Sequence, residues 1–120
     1  YDFIDSINIY HGGAISPGIN MRYNSLNKFT SNLPLLEFNN VEKMIGSNTD
    51  ESIHIGVYNG IIGEINEYIN RLEEKYLKLN VIITGGDSTF LLNKIKNAIF
   101  EDQDFLAIGL NNILKYNEGH

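Results

Sequence analysis

The amino-acid sequence predicts an α/β fold in which helices cover a small sheet. Short apolar runs such as YDFIDSINIY and NVIIT have the alternation or the continuous apolar character of strands. Longer segments between and after them place apolar residues three and four apart, which is the spacing of amphipathic helices. Strand-like and helix-like segments therefore alternate along the chain, as is typical of α/β domains.

Composition limits the chain to one domain at most and excludes several classes of function. The chain has 120 residues with 42% hydrophobic and 20% charged residues, which is ordinary for a globular protein. A net charge of −6 argues against a protein that binds the nucleic-acid backbone. Cysteine is absent, which excludes disulfides and a thiol nucleophile. No apolar run approaches the roughly 20 residues of a membrane span, and nothing resembles a signal peptide, so we expect a cytoplasmic protein.

The first ten residues already alternate like a strand, and the chain does not begin with Met. We therefore expect this chain to be the C-terminal part of a longer protein. Asp5 and Ser6 could turn the chain, so YDFIDSINIY predicts either one strand or a short hairpin.

The segment GGAISPG follows this strand-like run directly. Ser16 is a suitable N-cap and Pro17 a suitable first helical residue, so the pattern predicts a helix over about Pro17–Phe29. The glycines either form a plain turn into this helix or shape the backbone to lie close to a ligand.

The longest predicted helix covers Glu51–Leu79, with Thr49 or Asn48 as its cap. Its apolar residues form two stripes, of which Ile53, Val57, Ile61 and Tyr68 make the second. One stripe is enough to dock a helix on a sheet, so the second favours contact with another subunit. The helix also contains three glycines that require a packing reason: Gly56, Gly60 and Gly63.

The remaining elements alternate in type. The run NVIIT predicts a buried strand, and the segment DSTFLLNKIKNAIF predicts an amphipathic helix. Phe105–Ile108 is predicted to form a short strand or extended piece. A last helix follows it and contains Leu110, Ile113 and Leu114.

Two further features are candidates for binding, and each also has a plain structural explanation. Gly85 and Gly86 end a strand, where glycines either make a tight turn or let backbone N–H groups approach a nucleotide. Thr49 either caps the long helix or binds a ligand. The three histidines are far apart in sequence, so we expect no metal site: His11, His54 and His120.

Four motifs in order resemble the second half of a type III pantothenate kinase: GGAISPG, IGSNTDESIHIGVYNG, VIITGG and FLAIGLNNILKYN. The resemblance covers nearly the whole chain. It implies a ribonuclease-H-like lobe of the actin-like ATPase superfamily, with a small mixed sheet flanked by helices. It also implies a dimeric enzyme that phosphorylates pantothenate at the start of coenzyme A synthesis. The implied cofactors are ATP, magnesium with ATP, and potassium or ammonium as a monovalent cation.

The resemblance also assigns roles to individual residues. Thr49 matches the family's pantothenate-contacting threonine, and Gly85 and Gly86 match the glycine pair of its adenosine motif. The long helix Glu51–Leu79 is the expected dimer interface. Four residues match the family's motif that lines the active cleft: Gly12, Gly13, Pro17 and Gly18.

The family's phosphate motif and its catalytic aspartate are missing from this chain, so the general base is expected upstream of Tyr1. The isolated chain is therefore expected to be inactive. Three alternatives stay open: a non-catalytic accessory factor of a transcriptional regulator, a sugar or acetate kinase of the same superfamily, and a stand-alone domain that binds a small ligand.

Overall fold

The structure, a computed structural model, describes residues 1–96, 98–101 and 104–119. Within them the chain forms β1 (Asp2–Ile4), β2 (Tyr10–Gly13), α1 (Ile19–Lys28), α2 (Thr49–Tyr76), β3 (Val81–Ile83), α3 (Ser88–Leu92), β4 (Ala98–Glu101) and α4 (Phe105–Glu118). The chain divides into two compact units, residues 1–64 and 65–120. The α/β class is confirmed. The described strands form two separate pairs, where the sequence predicted one sheet.

The first strand pair is an antiparallel hairpin of β1 and β2. Asp5 closes its turn, because one carboxylate oxygen accepts the backbone N–H groups of Ile7 and Ile9 at 3.0 and 2.9 Å. The other carboxylate oxygen lies 2.8 Å from Nε2 of His11 on β2. Of the two alternatives that the sequence left open, the hairpin is therefore the correct one.

Helix α1 begins two residues later than the sequence predicts. Gly18 is its N-cap and Ile19 its first residue, so the assignment of Ser16 as N-cap is wrong. The Arg22 side chain instead donates to the Pro17 carbonyl at 2.8 Å and to the Ser16 hydroxyl at 3.0 Å. These bonds hold the Ser-Pro step outside the helix.

Helix α2 runs from Thr49 to Tyr76, so the predicted range Glu51–Leu79 begins two residues late and ends three residues late. The helix stops because Leu77 adopts a φ of +68°. The N–H of Leu77 still donates to the Glu73 carbonyl at 2.9 Å, which closes the last turn.

The second apolar stripe of α2 is largely covered within the chain itself. Ile53, Val57 and Ile61 are only 6%, 3% and 7% exposed, whereas Tyr68 is exposed. The inference that this stripe is left over for another subunit is therefore wrong for its first three members. The face that remains open carries the three exposed glycines of the helix: Gly56, Gly60 and Gly63.

In the second unit, β3 pairs in parallel with β4. The predicted helix DSTFLLNKIKNAIF is wrong beyond Leu92, where α3 ends and a turn leads to β4. The Asn66 side chain holds this turn, because it accepts the Lys96 N–H at 2.7 Å and donates to the Lys94 carbonyl at 3.4 Å. Pairing with β3 and this long-range contact override the helical pattern of the sequence.

The predicted strand Phe105–Ile108 is also wrong, because these residues form the first turn of α4. The Ile108 N–H donates to the Asp104 carbonyl at 2.9 Å. The side chains of the last helix are exposed, including Leu110, Ile113 and Leu114. In the part of the chain that the structure describes, no helix has the length and apolar character needed to cross a membrane.

Candidate functional site

The start of α2 carries the residue with the strongest functional prediction, Thr49. The side chain of Asn48 accepts the N–H of Glu51 at 2.9 Å, so Asn48 is the helix cap. Thr49 is exposed and is the first helical residue. Its hydroxyl makes no hydrogen bond to any described residue. The capping explanation for Thr49 is therefore wrong, and its hydroxyl is available to a ligand.

The carboxylate of Glu51 fixes the loop before α2. Glu51 accepts the N–H and the hydroxyl of Ser47 at 2.9 and 2.7 Å and pairs with Lys43 at 2.8 Å. The Lys43 ammonium, followed by the two Ser47 donors, lowers the pKa of Glu51 to about 2. Glu51 is therefore ionised near neutral pH and its charge is compensated, so it orders this loop.

A cavity of about 610 Å³ lies at this helix start. It is lined by Asn39, Val41, Asn48, Thr49, Asp50, Glu51 and His54. Hydroxyl, amide, imidazole and carboxylate groups thus meet at one concave surface with a single aliphatic side chain. Such a lining suits a small polar molecule that both donates and accepts hydrogen bonds.

His54 is held in this cavity wall by a buried tyrosine of α1. The Tyr23 hydroxyl lies 2.7 Å from Nδ1 of His54, and Tyr23 is 2% exposed. Burial raises the pKa of Tyr23, although the backbone N–H of Asn39 donates to its oxygen and opposes this effect. Tyr23 therefore stays a neutral phenol near neutral pH.

The GGAISPG segment has a clear structural requirement at its first two glycines. Gly12 has a φ of +86°, and a Cβ on Gly13 would lie 1.6 Å from the Tyr1 carbonyl oxygen. Ala14 and Tyr1 exchange two backbone hydrogen bonds here, with the Ala14 N–H donating at 3.0 Å and the Tyr1 backbone nitrogen at 2.9 Å. By contrast, a Cβ on Gly18 would meet open space.

Arg22 and Glu64 join this segment to α2. Arg22 donates to Glu64 at 2.7 Å, in addition to its bonds to Pro17 and Ser16. Burial raises the pKa of Glu64, but hydrogen bonds from Ser16, Tyr1 and Arg22 outweigh it and lower the pKa to about 2. The hydrogen bonds around the Arg22–Glu64 ion pair therefore hold the turn, α1 and α2 together in the first unit. They join five residues: Tyr1, Ser16, Pro17, Arg22 and Glu64.

The Gly85–Gly86 pair belongs to the second unit and follows β3. Gly85 has a φ of +105°, and its carbonyl accepts the Ser88 N–H at 3.2 Å. The pair is therefore a tight turn, which explains Gly85 by backbone conformation alone. A Cβ on either glycine would meet open space, so the outer side of the turn is accessible.

The first unit thus contains Thr49 in a cavity, but none of the four GGAISPG residues predicted for the cleft is part of the cavity lining. Sequence reasoning missed Asn39 and considered His54 only as a metal ligand. Because Tyr23 lies 31 positions from His54, no local pattern could have revealed the pair.

No group of three histidine and carboxylate side chains is arranged to hold a metal ion in the described residues. His120 lies outside the described residues. His11 is engaged by Asp5 in the hairpin.

Comparison with known proteins gives consistent matches. A family model described as type III pantothenate kinase matches residues 1–71. Type III pantothenate kinases from Flavobacterium psychrophilum and Christiangramia forsetii are 44% and 46% identical over 97% and 98% of this chain. One from Bacteroides fragilis is 44% identical over 99% of it. These alignments cover 48%, 49% and 49% of the relatives, so the chain spans about half their length.

A solved structure from Campylobacter jejuni is similar to 99% of this chain, with a TM-score of 0.63 and 25% sequence identity. The match covers 53% of that structure, whose description assigns it to the Baf family of transcriptional activators.

Proposed function

Since the chain belongs to the type III pantothenate kinase family, we propose that it is the C-terminal half of an enzyme that transfers the γ-phosphate of ATP to pantothenate. The observation that carries this proposal is the Thr49 hydroxyl, which no described residue engages, in a polar cavity. The sequence resemblance gives Thr49 the role of the family's pantothenate-contacting threonine. In the reaction a bond forms between the pantothenate hydroxyl oxygen and the γ-phosphorus. The bond to ADP breaks, and the proton goes to a base upstream of Tyr1. This chain alone is expected to be inactive.

Pantothenate is proposed to lie against Thr49. A hydroxyl that no described residue engages can donate to or accept from a substrate with both donors and acceptors, as pantothenate has. Gly12, Gly13, Pro17 and Gly18 are proposed to form the wall of the same cleft in the complete enzyme. The Arg22 side chain supports this role at the end of the segment, because it holds the Pro17 carbonyl and the Ser16 hydroxyl.

ATP is proposed to approach Gly85 and Gly86. The open space on the side where a Cβ would lie leaves their backbone accessible to an adenosine group. Magnesium bound with ATP would neutralise phosphate charge. A monovalent cation, potassium or ammonium, would bind in the part of the enzyme that precedes this chain.

The fold, the oligomeric state and the location are proposed from family membership. The chain would be the single C-terminal lobe of a ribonuclease-H-like, actin-like ATPase, in a cytoplasmic homodimer formed through α2. The exposed positions Gly56 and Gly63 support this interface, because a Cβ at either would meet open space and a neighbouring helix could approach the backbone closely there.

The regulatory alternative has one observation in its favour, the structural similarity to a Baf family protein. Kinase relatives at 44% and 46% identity favour the enzyme over a regulator at 25%. A sugar or acetate kinase has no comparable support.

The test uses the full-length enzyme, with formation of phosphopantothenate and ADP as the assay. Thr49→Ala should lower kcat/KM for pantothenate roughly 2- to 12-fold, because a lost hydrogen bond costs about 0.5–1.5 kcal/mol. Thr49→Ser should retain most of the activity.

The matched control is Thr30→Ala, which removes a hydroxyl that donates to the Leu26 carbonyl outside the cavity. It should leave the pantothenate KM unchanged. Absence of pantothenate phosphorylation by the full-length protein would refute the function. An unchanged kcat/KM in Thr49→Ala would remove Thr49 from the substrate site.

A further inference from the structure

His54 has a defined protonation pattern that the structure allows us to assign. The hydroxyl of Tyr23, which is 2% exposed, has Nδ1 of His54 as its hydrogen-bond partner among the described residues, at 2.7 Å. If Nδ1 carried a proton, the Tyr23 oxygen would accept it and the buried O–H would have no acceptor among these residues. Nδ1 of neutral His54 is therefore the acceptor, and the ring proton lies on Nε2.

The protonated ring nitrogen of His54 is then a hydrogen-bond donor without a partner among the described residues. His54 lines the same cavity as Thr49. Two residues of the cavity lining, His54 and Thr49, thus carry a donor that no described residue uses. Two such donors at one concave surface match an acceptor oxygen of a ligand, either a carbonyl or a carboxylate oxygen.

The charged groups of the cavity wall do not compete for this donor. Glu51 is already engaged by Lys43 and Ser47. Asp50 lines the cavity but makes no ion pair or hydrogen bond with His54 in the structure. The His54 N–H is therefore left for a bound molecule.

We propose that His54 is a substrate-binding residue whose Nε2–H donates to a carbonyl or carboxylate oxygen of the acid substrate beside Thr49. Tyr23 is its positioning residue: the phenol fixes both the tautomer and the direction of the ring. This proposal rests on the proposed function and names a second contact in the same site. It also explains why a buried tyrosine directs its hydroxyl to a half-buried histidine.

The first experiment reads the tautomer directly by ¹⁵N NMR of histidine-labelled full-length protein. Wild type should show a protonated Nε2 and an unprotonated Nδ1 for His54. Tyr23→Phe keeps the ring but removes the hydroxyl, so the two tautomers should become mixed. A wild-type spectrum with the proton on Nδ1 would overturn the proposal.

The second experiment measures pantothenate affinity and steady-state kinetics for His54→Leu, His54→Gln and Tyr23→Phe. His54→Leu should raise the pantothenate Kd and KM roughly 2- to 12-fold while the ATP KM stays constant. His54→Gln supplies an amide N–H and should restore part of the affinity. Tyr23→Phe should weaken binding less than His54→Leu does.

Competition with pantothenol, in which an alcohol replaces the carboxylate, identifies the acceptor. If His54→Leu weakens both ligands equally, the acceptor is the amide carbonyl that they share. If it weakens only pantothenate, the acceptor is the carboxylate.

A purely structural role would lower the thermal midpoint of the His54 variants without changing the pantothenate Kd, and this result would overturn the proposal. If His54→Leu fails to fold, the pantothenate Kd of His54→Gln and the wild-type NMR spectrum still test the proposal. If the wild-type protein does not phosphorylate pantothenate, the proposed function fails. If it does, and the His54 variants bind normally, only this inference fails.

Discussion

The Arg22–Glu64 pair allows a stability prediction with a defined pH dependence. Glu64→Gln keeps the shape of the side chain and an oxygen for the Tyr1 hydroxyl, but removes the charge that Arg22 and Ser16 stabilise. We expect the variant to unfold more easily at pH 7 because Arg22, only 19% exposed, then lacks its ionic partner.

The magnitude follows from the pKa of Glu64, which falls from 4.5 to about 2. This difference corresponds to about 3 kcal/mol without screening. Because 34% of the Glu64 side chain is exposed, solvent screening reduces the expected loss to about 1–2 kcal/mol. The pKa is lower in the folded state, so the stabilisation is complete above pH 4.5 and disappears as the pH falls towards about 2.

The assay is urea unfolding of the full-length protein, followed by far-UV circular dichroism at pH 7, 4.5 and 3. The difference between wild type and Glu64→Gln should be largest at pH 7 and should shrink at pH 3. The matched control is Glu67→Gln, whose ion pair with Arg71 is exposed on both sides and should give no measurable change. Equal stability at pH 7, or a difference that does not depend on pH, would refute the reasoning.

Two further predictions concern the backbone around the cavity and the turn. Gly13→Ala should destabilise the protein by about 1–3 kcal/mol, because its Cβ would clash with the Tyr1 carbonyl oxygen. Gly18→Ala, where the space is open, should cost less than about 1 kcal/mol in the same thermal denaturation assay. Equal effects would contradict the clash. Asn48→Ala should cost about 1 kcal/mol through loss of the cap, whereas Thr49→Ala should leave stability unchanged. A larger loss of stability in Thr49→Ala than in Asn48→Ala would show that Thr49 is the cap.

Local sequence signals predicted the elements that local forces determine. The alternation in YDFIDSINIY, the apolar spacing in α2 and the run before Gly85 each gave an element of the correct type. The predictions failed where a distant partner decides the structure. Residues 98–100 lie in the predicted helix DSTFLLNKIKNAIF but belong to β4, which pairs with β3. The turn before this strand is held by Asn66, about 30 positions away. Such a contact leaves no periodic trace in the sequence.

The candidate site shows the same division between local and distant determinants. Thr49 was identified from its position at a helix start, but the sequence could not separate capping from ligand binding. That distinction depends on which side chain accepts the Glu51 N–H, and in the structure the Asn48 side chain accepts it. The sequence could not identify His54 as a binding residue, because Tyr23 on another helix determines which ring nitrogen of His54 is the donor. A binding role for His54 therefore depends on tertiary structure, since only the fold determines which nitrogen carries the proton and whether a protein acceptor already uses it.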